Sequence, residues 1–305
     1  MALMKILVTG ATGFIGKALV RALIERKEEV IVLGRSKAKL NFVFKDEKVR
    51  VWSWVDLETT HETLDVIVNL AGENIVGWWS SRKKAKIIDS RIATIKRIIA
   101  FCARQKESGG TVIRYFQATG VGIYGIRGDR EFDETSLLPQ DSDFLSTLGR
   151  QIETAAMEGE KQGITPVIMR FGVVLDPNGG LLEQLFPLFK YGFGMVFGKG
   201  QQSISWITRI DLVRAILFLI DHPILQGPIN LVAKEPVTQQ HFARMYAKSL
   251  SRRVIFRFPV FLIKAVFGEM GTTLFLGSQR VVPQKLIDSE FEFEYPNLTY
   301  YFSKP

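Results

Sequence analysis

The chain has 305 residues, 47% hydrophobic and 23% charged, which is the balance of a globular fold and excludes the low-hydrophobicity, high-charge composition of disorder. Its single cysteine, Cys102, excludes an intramolecular disulfide and a cysteine-rich zinc site, and points to a reducing, cytoplasmic setting. The formal net charge of +9 favours anionic ligands, but Lys and Arg are scattered along the chain, so no nucleic-acid partner is expected. Apolar runs such as Ala215–Ile220 fall far short of the ~18 residues a membrane-spanning helix needs, so no membrane partner is expected. The opening residues carry no basic stretch or cleavage pattern of an export signal.

The first apolar run, Ile6–Val8, leads through Thr9-Gly10-Ala11-Thr12-Gly13-Phe14-Ile15-Gly16 into a helical stretch at Ala18–Leu23. A glycine pattern that follows a strand and opens a helix is a dinucleotide-binding fingerprint. Gly10, Gly13 and Gly16 allow a sharp turn, close approach of backbone to a pyrophosphate, and tight helix–strand packing. With Thr12, Phe14 and Ile15 they are the expected cofactor contacts, the phosphates resting on free amides at the helix start. The second strand ends Val30-Ile31-Val32-Leu33-Gly34-Arg35-Ser36, where an NAD-selective site would carry an acid for the ribose 2′-hydroxyl. Here Arg35 and Ser36 instead offer a guanidinium and a hydroxyl to a 2′-phosphate, so NADP(H) is the expected cofactor.

A third strand, Val49–Trp52, is followed by Asp56-Leu57, placed to frame the adenine. The fourth, Val66–Leu70, runs into Leu70-Ala71-Gly72, where backbone can lie against a dinucleotide. Glu73 lies just beyond, at the carboxyl end of the sheet, and is the best candidate for a polar substrate contact. A helix at Ile87–Ala103, a strand at Val112–Ala118, a helix at Phe144–Met157 and a strand at Val167–Phe171 continue the rhythm, with Ala118 and Phe171 as further cofactor contacts. This alternation implies an α/β fold, a Rossmann-type doubly wound parallel sheet covered on both faces.

Past Val174 the pattern loosens. Asp176–Gly180 reads as a turn, Leu181–Phe189 as a helix and Gly192–Gly200 as a glycine-rich loop, while Trp206 and Arg209 border the expected cleft. Ile210–Ile220 is a further helix and Pro228–Val232 a last strand. The expected division is an NADP-binding domain at residues 1–235, with a substrate-lobe insertion at about 175–205, and a smaller C-terminal α+β lobe at 236–305. The segment Gly268–Leu286 is expected to pack over the cleft.

The glycine turn, Asn69-Leu70-Ala71-Gly72 and Tyr124-Gly125 together resemble an extended short-chain dehydrogenase/reductase. More narrowly, Asn69–Ile75, Ser90-Arg91, Gly122–Gly125, Ser205-Trp206-Ile207, Asp211, Gly268-Glu269-Met270 and Gln279–Leu286 resemble an epimerase-like NAD(P)-binding family with a C-terminal domain of unassigned function. Its members carry labels such as nucleoside-diphosphate-sugar epimerase and SulA-like cell-division inhibitor. The resemblance spans almost the whole chain and implies a Rossmann core, NADP(H) and a small-molecule substrate such as a nucleotide sugar. It supplies no reaction.

Active extended dehydrogenases use a Tyr-x-x-x-Lys pair on the helix after the fifth strand, where Lys lowers the Tyr pKa so that phenolate can act as a base. Registers counted from Tyr124-Gly125 and from Glu153 both place Leu145 and Gly149 at those positions, and neither transfers a proton. The usual serine region reads Ala118-Thr119-Gly120, which leaves Thr119 and Tyr124 as the candidate catalytic hydroxyls. Two further departures are Thr208, where the family often has histidine, and Ile152, where it often has tryptophan.

His61, His222 and His241 are too scattered to suggest a metal, and no Gly-x-Ser-x-Gly elbow suggests a serine hydrolase. Trp78-Trp79 before Ser80-Ser81-Arg82-Lys83-Lys84 reads either as a capped helix start with packed tryptophans or as a platform for a nucleotide. Two functional classes compete. One is an NADP(H)-dependent oxidoreductase or epimerase-like enzyme of atypical mechanism, drawing on Thr119, Tyr124 or Glu73. The other is a non-catalytic NADP(H)-binding sensor or scaffold linked to cell division. An oligomer is compatible with the sequence but not derivable from it.

Overall fold

A computed structural model describes residues 3–109, 114–140 and 143–303. Strands rich in Val, Ile and Leu form where both faces of a sheet are buried, and here they build one seven-stranded sheet. It comprises β1 (Lys5–Thr9), β2 (Glu29–Leu33), β3 (Arg50–Trp52), β4 (Val66–Asn69), β5 (Arg114–Gly120), β6 (Val167–Phe171) and β7 (Gly227–Leu231). The order is β7-β6-β5-β4-β1-β2-β3 and every pairing is parallel, with Ile6 opposite Val30 on one side and Val66 on the other. The first two residues of the expected strand Val112–Ala118 lie outside the described residues.

Alternate strand residues feed two cores. Ile6, Val8, Val30 and Val32 meet the apolar faces of α1 (Phe14–Glu25) and α7 (Arg209–Asp221) on one side of the sheet. Leu7, Ile31, Leu33 and Ile67 meet α4 (Ser81–Glu107) and α5 (Phe144–Met157) on the other. Ser80 caps α4 by accepting from the Lys83 amide, and the helix begins six residues before the expected Ile87. The reason is that Arg82–Lys86 carry no apolar periodicity, so the cap alone marks the start.

The segment from Leu175 to Ile204 and the residues after Pro236 share a third core. Leu182 and Phe189 of α6 (Gly180–Lys190) pack there with Phe242 and Tyr246 of α8 (Gln239–Ser249). Met195–Phe197 pairs with Phe256–Phe258, so the expected glycine-rich loop at 192–200 contains a short strand. The following helix, α9 (Val260–Leu276), is broken at Gly268, whose φ of 57° and ψ of −140° suit glycine alone. Among the described residues no helix is long and apolar enough to cross a membrane.

Candidate functional site

The sheet order reverses between β1 and β4, the switch point at which open α/β sheets form a crevice. A cleft of about 570 Å³ opens there. Gly10 has φ +67°, and a Cβ on it would lie 2.7 Å from the Leu70 carbonyl carbon, so backbone meets backbone with no room for a side chain. Gly16 is closed in the same way by the carbonyl of Gly10 and by Ala11. Gly13 starts α1 with no side-chain cap, which leaves the first-turn amides unpaired beside the cleft. Gly10, Gly13, Phe14, Ile15 and Gly16 line one end. Leu70, Ala71, Gly72 and Glu73 line its flank, with Ala118, Thr119 and Phe171 from the ends of β5 and β6. Thr12 is not among the lining residues.

A buried polar chain that the sequence reading missed holds these strand ends in place. Thr9 Oγ1 donates to Asn69 Oδ1, Asn69 Nδ2 donates to Gln117 Oε1 at 2.7 Å, and the Tyr115 hydroxyl donates to the same Gln117 oxygen. Asn69 Oδ1 also accepts from the Ala71 amide at 3.2 Å and so shapes the turn into the cleft. The available signal was a polar residue at the carboxyl end of two apolar strands, Thr9 and Asn69, and one within a third, Gln117.

At the far end of β2, Arg35 and Ser36 are exposed. Ser36 Oγ caps the short helix α2 (Lys37–Val43) by accepting from the Lys39 amide. The carboxylate of Asp56 is 2.7 Å from Lys37 Nζ and accepts from the Ser53 amide and hydroxyl, and these contacts hold its pKa at about 2. Asp56 is thus committed to a helix cap and an ion pair. Leu57 is fully buried in the second core and offers no side chain to a ligand.

The opposite end of the cleft is apolar apart from a few groups. Among the described residues Thr119 carries the only hydroxyl on a lining side chain, and its Oγ1 is buried without a hydrogen-bond partner. Leu145, Leu148 and Ile152 of α5 face it. At Gly149 a Cβ would lie 2.8 Å from the Ile123 Cβ, and at Gly122 one would lie 2.9 Å from the Leu145 Cβ. Helix α5 therefore rests too close to the 121–124 turn for a lysine at position 149.

Tyr124 is removed from the cleft altogether. It is fully buried, and its hydroxyl accepts from Arg170 Nη1 at 2.8 Å while facing Asn230 Oδ1 at 2.8 Å and the Asp133 carbonyl at 2.9 Å. Arg170 in turn makes a two-pronged pair with Glu153 at 2.8 and 2.7 Å. Burial pushes the Tyr124 phenol up to about 12. As a candidate base it fails on access and on acidity, and its place is in an internal polar network.

Glu73 lines the cleft, but its carboxylate turns to Lys83 at 3.0 Å and Lys86 at 3.4 Å, which lower its pKa. The sequence reading passed over Arg91 as a site residue. It is the one cation among the lining residues, with Nη1 bonded to the carbonyls of Glu73 and Ile87 at 3.0 Å and its guanidinium against Gly72. Its Nε and Nη2 have no hydrogen-bond partner among the described residues. Trp206 is not a cleft residue: it is 1% exposed, packs in the third core and donates its indole N–H to the Glu235 carbonyl at 3.0 Å. Arg209 pairs with Asp176 at 2.9 Å and stacks 4.9 Å from the Phe14 ring, so it steadies a lining residue from behind.

Leu274 and Gln279 bring the C-terminal residues onto the cleft. Lys84 pairs with Glu269, and Trp78 lies against Gly268, joining the start of α4 to α9. Trp79 is buried edge-on to Phe144 at 4.8 Å, whereas Trp78 is largely exposed. Among the described residues no group of His, Cys, Asp or Glu could hold a metal ion.

Residues 6–231 match the NAD dependent epimerase/dehydratase family, and residues 258–302 match a domain of unknown function, DUF1731. The chain belongs to this epimerase family. It is 32% identical to the epimerase family protein YfhF of Bacillus subtilis (strain 168), over 99% of this chain and 97% of that one. It is 34% identical to the chloroplastic SDR39U1 homolog of Arabidopsis thaliana, over 96% and 84% of the two chains. Among solved structures, the human epimerase family protein SDR39U1 (isoform2), determined with NADPH, superposes with a TM-score of 0.86 at 28% identity, covering 98% of each chain. The first match contains the segment at about 175–205, and the second covers part of the later residues that pack against it.

Proposed function

We propose that this epimerase-family chain binds NADP(H) in the cleft, with the pyrophosphate over the first turn of α1 and the 2′-phosphate at Arg35 and Ser36. The observation that carries the reading is a cradle of glycines and a buried Thr119 hydroxyl that has no hydrogen-bond partner among the described residues. A buried polar group without a partner costs about 1–3 kcal/mol, and a ligand atom would relieve it. The NADPH in human SDR39U1 supports the same choice of cofactor. Ala118 and Phe171 would contact the cofactor from the sheet, and Arg91 would donate Nε and Nη2 to a phosphate.

NADP(H), when bound, supplies a hydride. The chain's own residues orient the reactants and exclude water through Leu145, Leu148, Ile152 and Leu274. None of them holds a proton, and Thr119 has no base beside it. We therefore read the protein as an oxidoreductase-like enzyme for an acceptor such as a quinone, whose anion, once it has taken the hydride, is protonated by water after it leaves the cleft. Ordinary sugar epimerisation, in which a substrate hydroxyl must lose its proton to the enzyme, does not fit this wall. A nucleotide sugar would remain a ligand through its diphosphate at Arg91. The apolar wall also favours a second reading, a cofactor sensor that performs no turnover.

Calorimetric titration tests the binding. NADPH should bind at least about tenfold more tightly than NADH, a difference of ~1.4 kcal/mol, and Arg35→Asp should abolish the preference. Equal affinities would remove the 2′-phosphate from Arg35. A screen of carbonyl, quinone and nucleotide-sugar compounds at the NADPH absorbance then separates the readings, since tight binding without oxidation of any of them selects the sensor.

A further inference from the structure

Two stretches of the chain, residues 184–210 and 236–268, contain no Asp or Glu, and the second carries six Lys and Arg. The fold brings them together. Met195–Phe197 pairs with Phe256–Phe258, Phe193 stacks on Phe256 at 6.2 Å, and Arg252 Nε donates to the Lys190 carbonyl at 2.8 Å. Within these two stretches Tyr191, Phe193, Ile255, Phe256 and Phe261 are 47–72% exposed, with Phe193 and Phe256 forming an exposed stacked pair. Beside them lies a shallow cavity of about 500 Å³ whose lining includes Arg244, Lys248, Arg252 and Arg253 and no carboxylate. None of the four forms an ion pair among the described residues.

We propose that this face is a peripheral docking surface for anionic phospholipid membranes. Exposed aromatic and aliphatic side chains enter the boundary between headgroups and acyl chains, and the clustered cations meet lipid phosphate. The charge decides between occupants. A second copy docking by the same face would bring like charges together. Single-stranded nucleic acid would match the charge and could stack on the rings, but the exposed aliphatic side chains Ile255 and Val260 give a base nothing to stack on and suit acyl chains, which favours lipid. The sequence expectation of no membrane partner concerned spans and charges counted along the chain, whereas this surface exists only once the two stretches pack.

Co-sedimentation of the full chain with vesicles tests the proposal, using phosphatidylcholine alone and phosphatidylcholine mixed with phosphatidylglycerol. The expected result is binding to the mixed vesicles only, weakening as salt rises. The double variants Phe193→Ser/Phe261→Ser and Lys248→Gln/Arg253→Gln should each weaken binding at least about tenfold at unchanged melting temperature. Absence of binding to the anionic vesicles, equal binding to neutral ones, or full binding by both folded variants would overturn it. So would a concentration-dependent dimer that the Phe193→Ser/Phe261→Ser change abolishes, or displacement from vesicles by a single-stranded oligonucleotide.

Discussion

Two hydroxyls, Thr119 and Tyr124, are equivalent on paper and opposite in their surroundings. Thr119→Ala removes a buried hydroxyl that has no hydrogen-bond partner among the described residues, so the cofactor-free protein should become no less stable, and up to about 1–2 kcal/mol more stable, while NADPH affinity falls up to about tenfold. Tyr124→Phe deprives Arg170 of a buried acceptor, so it should cost about 1–3 kcal/mol of stability and leave cofactor affinity unchanged. Denaturant unfolding and calorimetry on both variants check the pair of outcomes, and a reversed pattern would place the wrong hydroxyl in the site. The glycines of the cradle were legible in the sequence because a turn without side chains is a local demand. Leu57 and Trp206 were not, because whether a large apolar residue faces a cleft or a core depends on partners distant in sequence. Arg91 was visible in a motif, but only the return of α4 onto Gly72 puts its guanidinium at the cleft.

Helix α5 shows how an element can rule out a chemistry. Restoring the usual dehydrogenase pair with Leu145→Tyr/Gly149→Lys should give no alcohol oxidation. The added Cβ at 149 overlaps Ile123, so the melting temperature should drop in step with about 1–3 kcal/mol of overpacking. A double variant melting like the parent would mean that α5 can move away from the 121–124 turn. The alternating strands and their order of appearance were readable from periodicity, since a sheet buried on both faces leaves continuous apolar runs. The break within α9 was not: Val260–Leu276 is apolar almost throughout, and the helical pattern passes over Gly268 unmarked. Gly268→Ala should destabilise the fold by about 1–3 kcal/mol, because its dihedrals are closed to a side chain and the new methyl would meet the Trp78 ring at 3.2 Å. Thermal melting together with limited proteolysis of 260–280 measures it, and an unchanged melting temperature would show that the break is not needed.

Over the whole molecule, the packed cores give a simple probe of integrity. Cys102 is buried in the core between α4 and the sheet, and burial pushes its thiol up to about 12. A disulfide reagent at pH 8 should leave the folded protein unmodified and label one thiol per chain after denaturation, and rapid labelling of native protein would reveal an open core. We propose the division at residue 235 with a substrate-lobe insertion at about 175–205, and the fold packs that insertion against the later lobe through Met195–Phe197 and Phe256–Phe258. That lobe sets Leu274 and Gln279 over the cleft and is tied to α4 by Lys84 with Glu269 and by Trp78 against Gly268. A dinucleotide in the cleft would lie partly beneath it, and we predict that parting of those ties helps to set its release. The lobe would then act as a clasp on the bound cofactor: Lys84→Ala should speed NADPH dissociation in stopped-flow fluorescence while leaving the NADP(H)-over-NAD(H) preference intact, and an unchanged rate would show that the tie does not hold the cofactor.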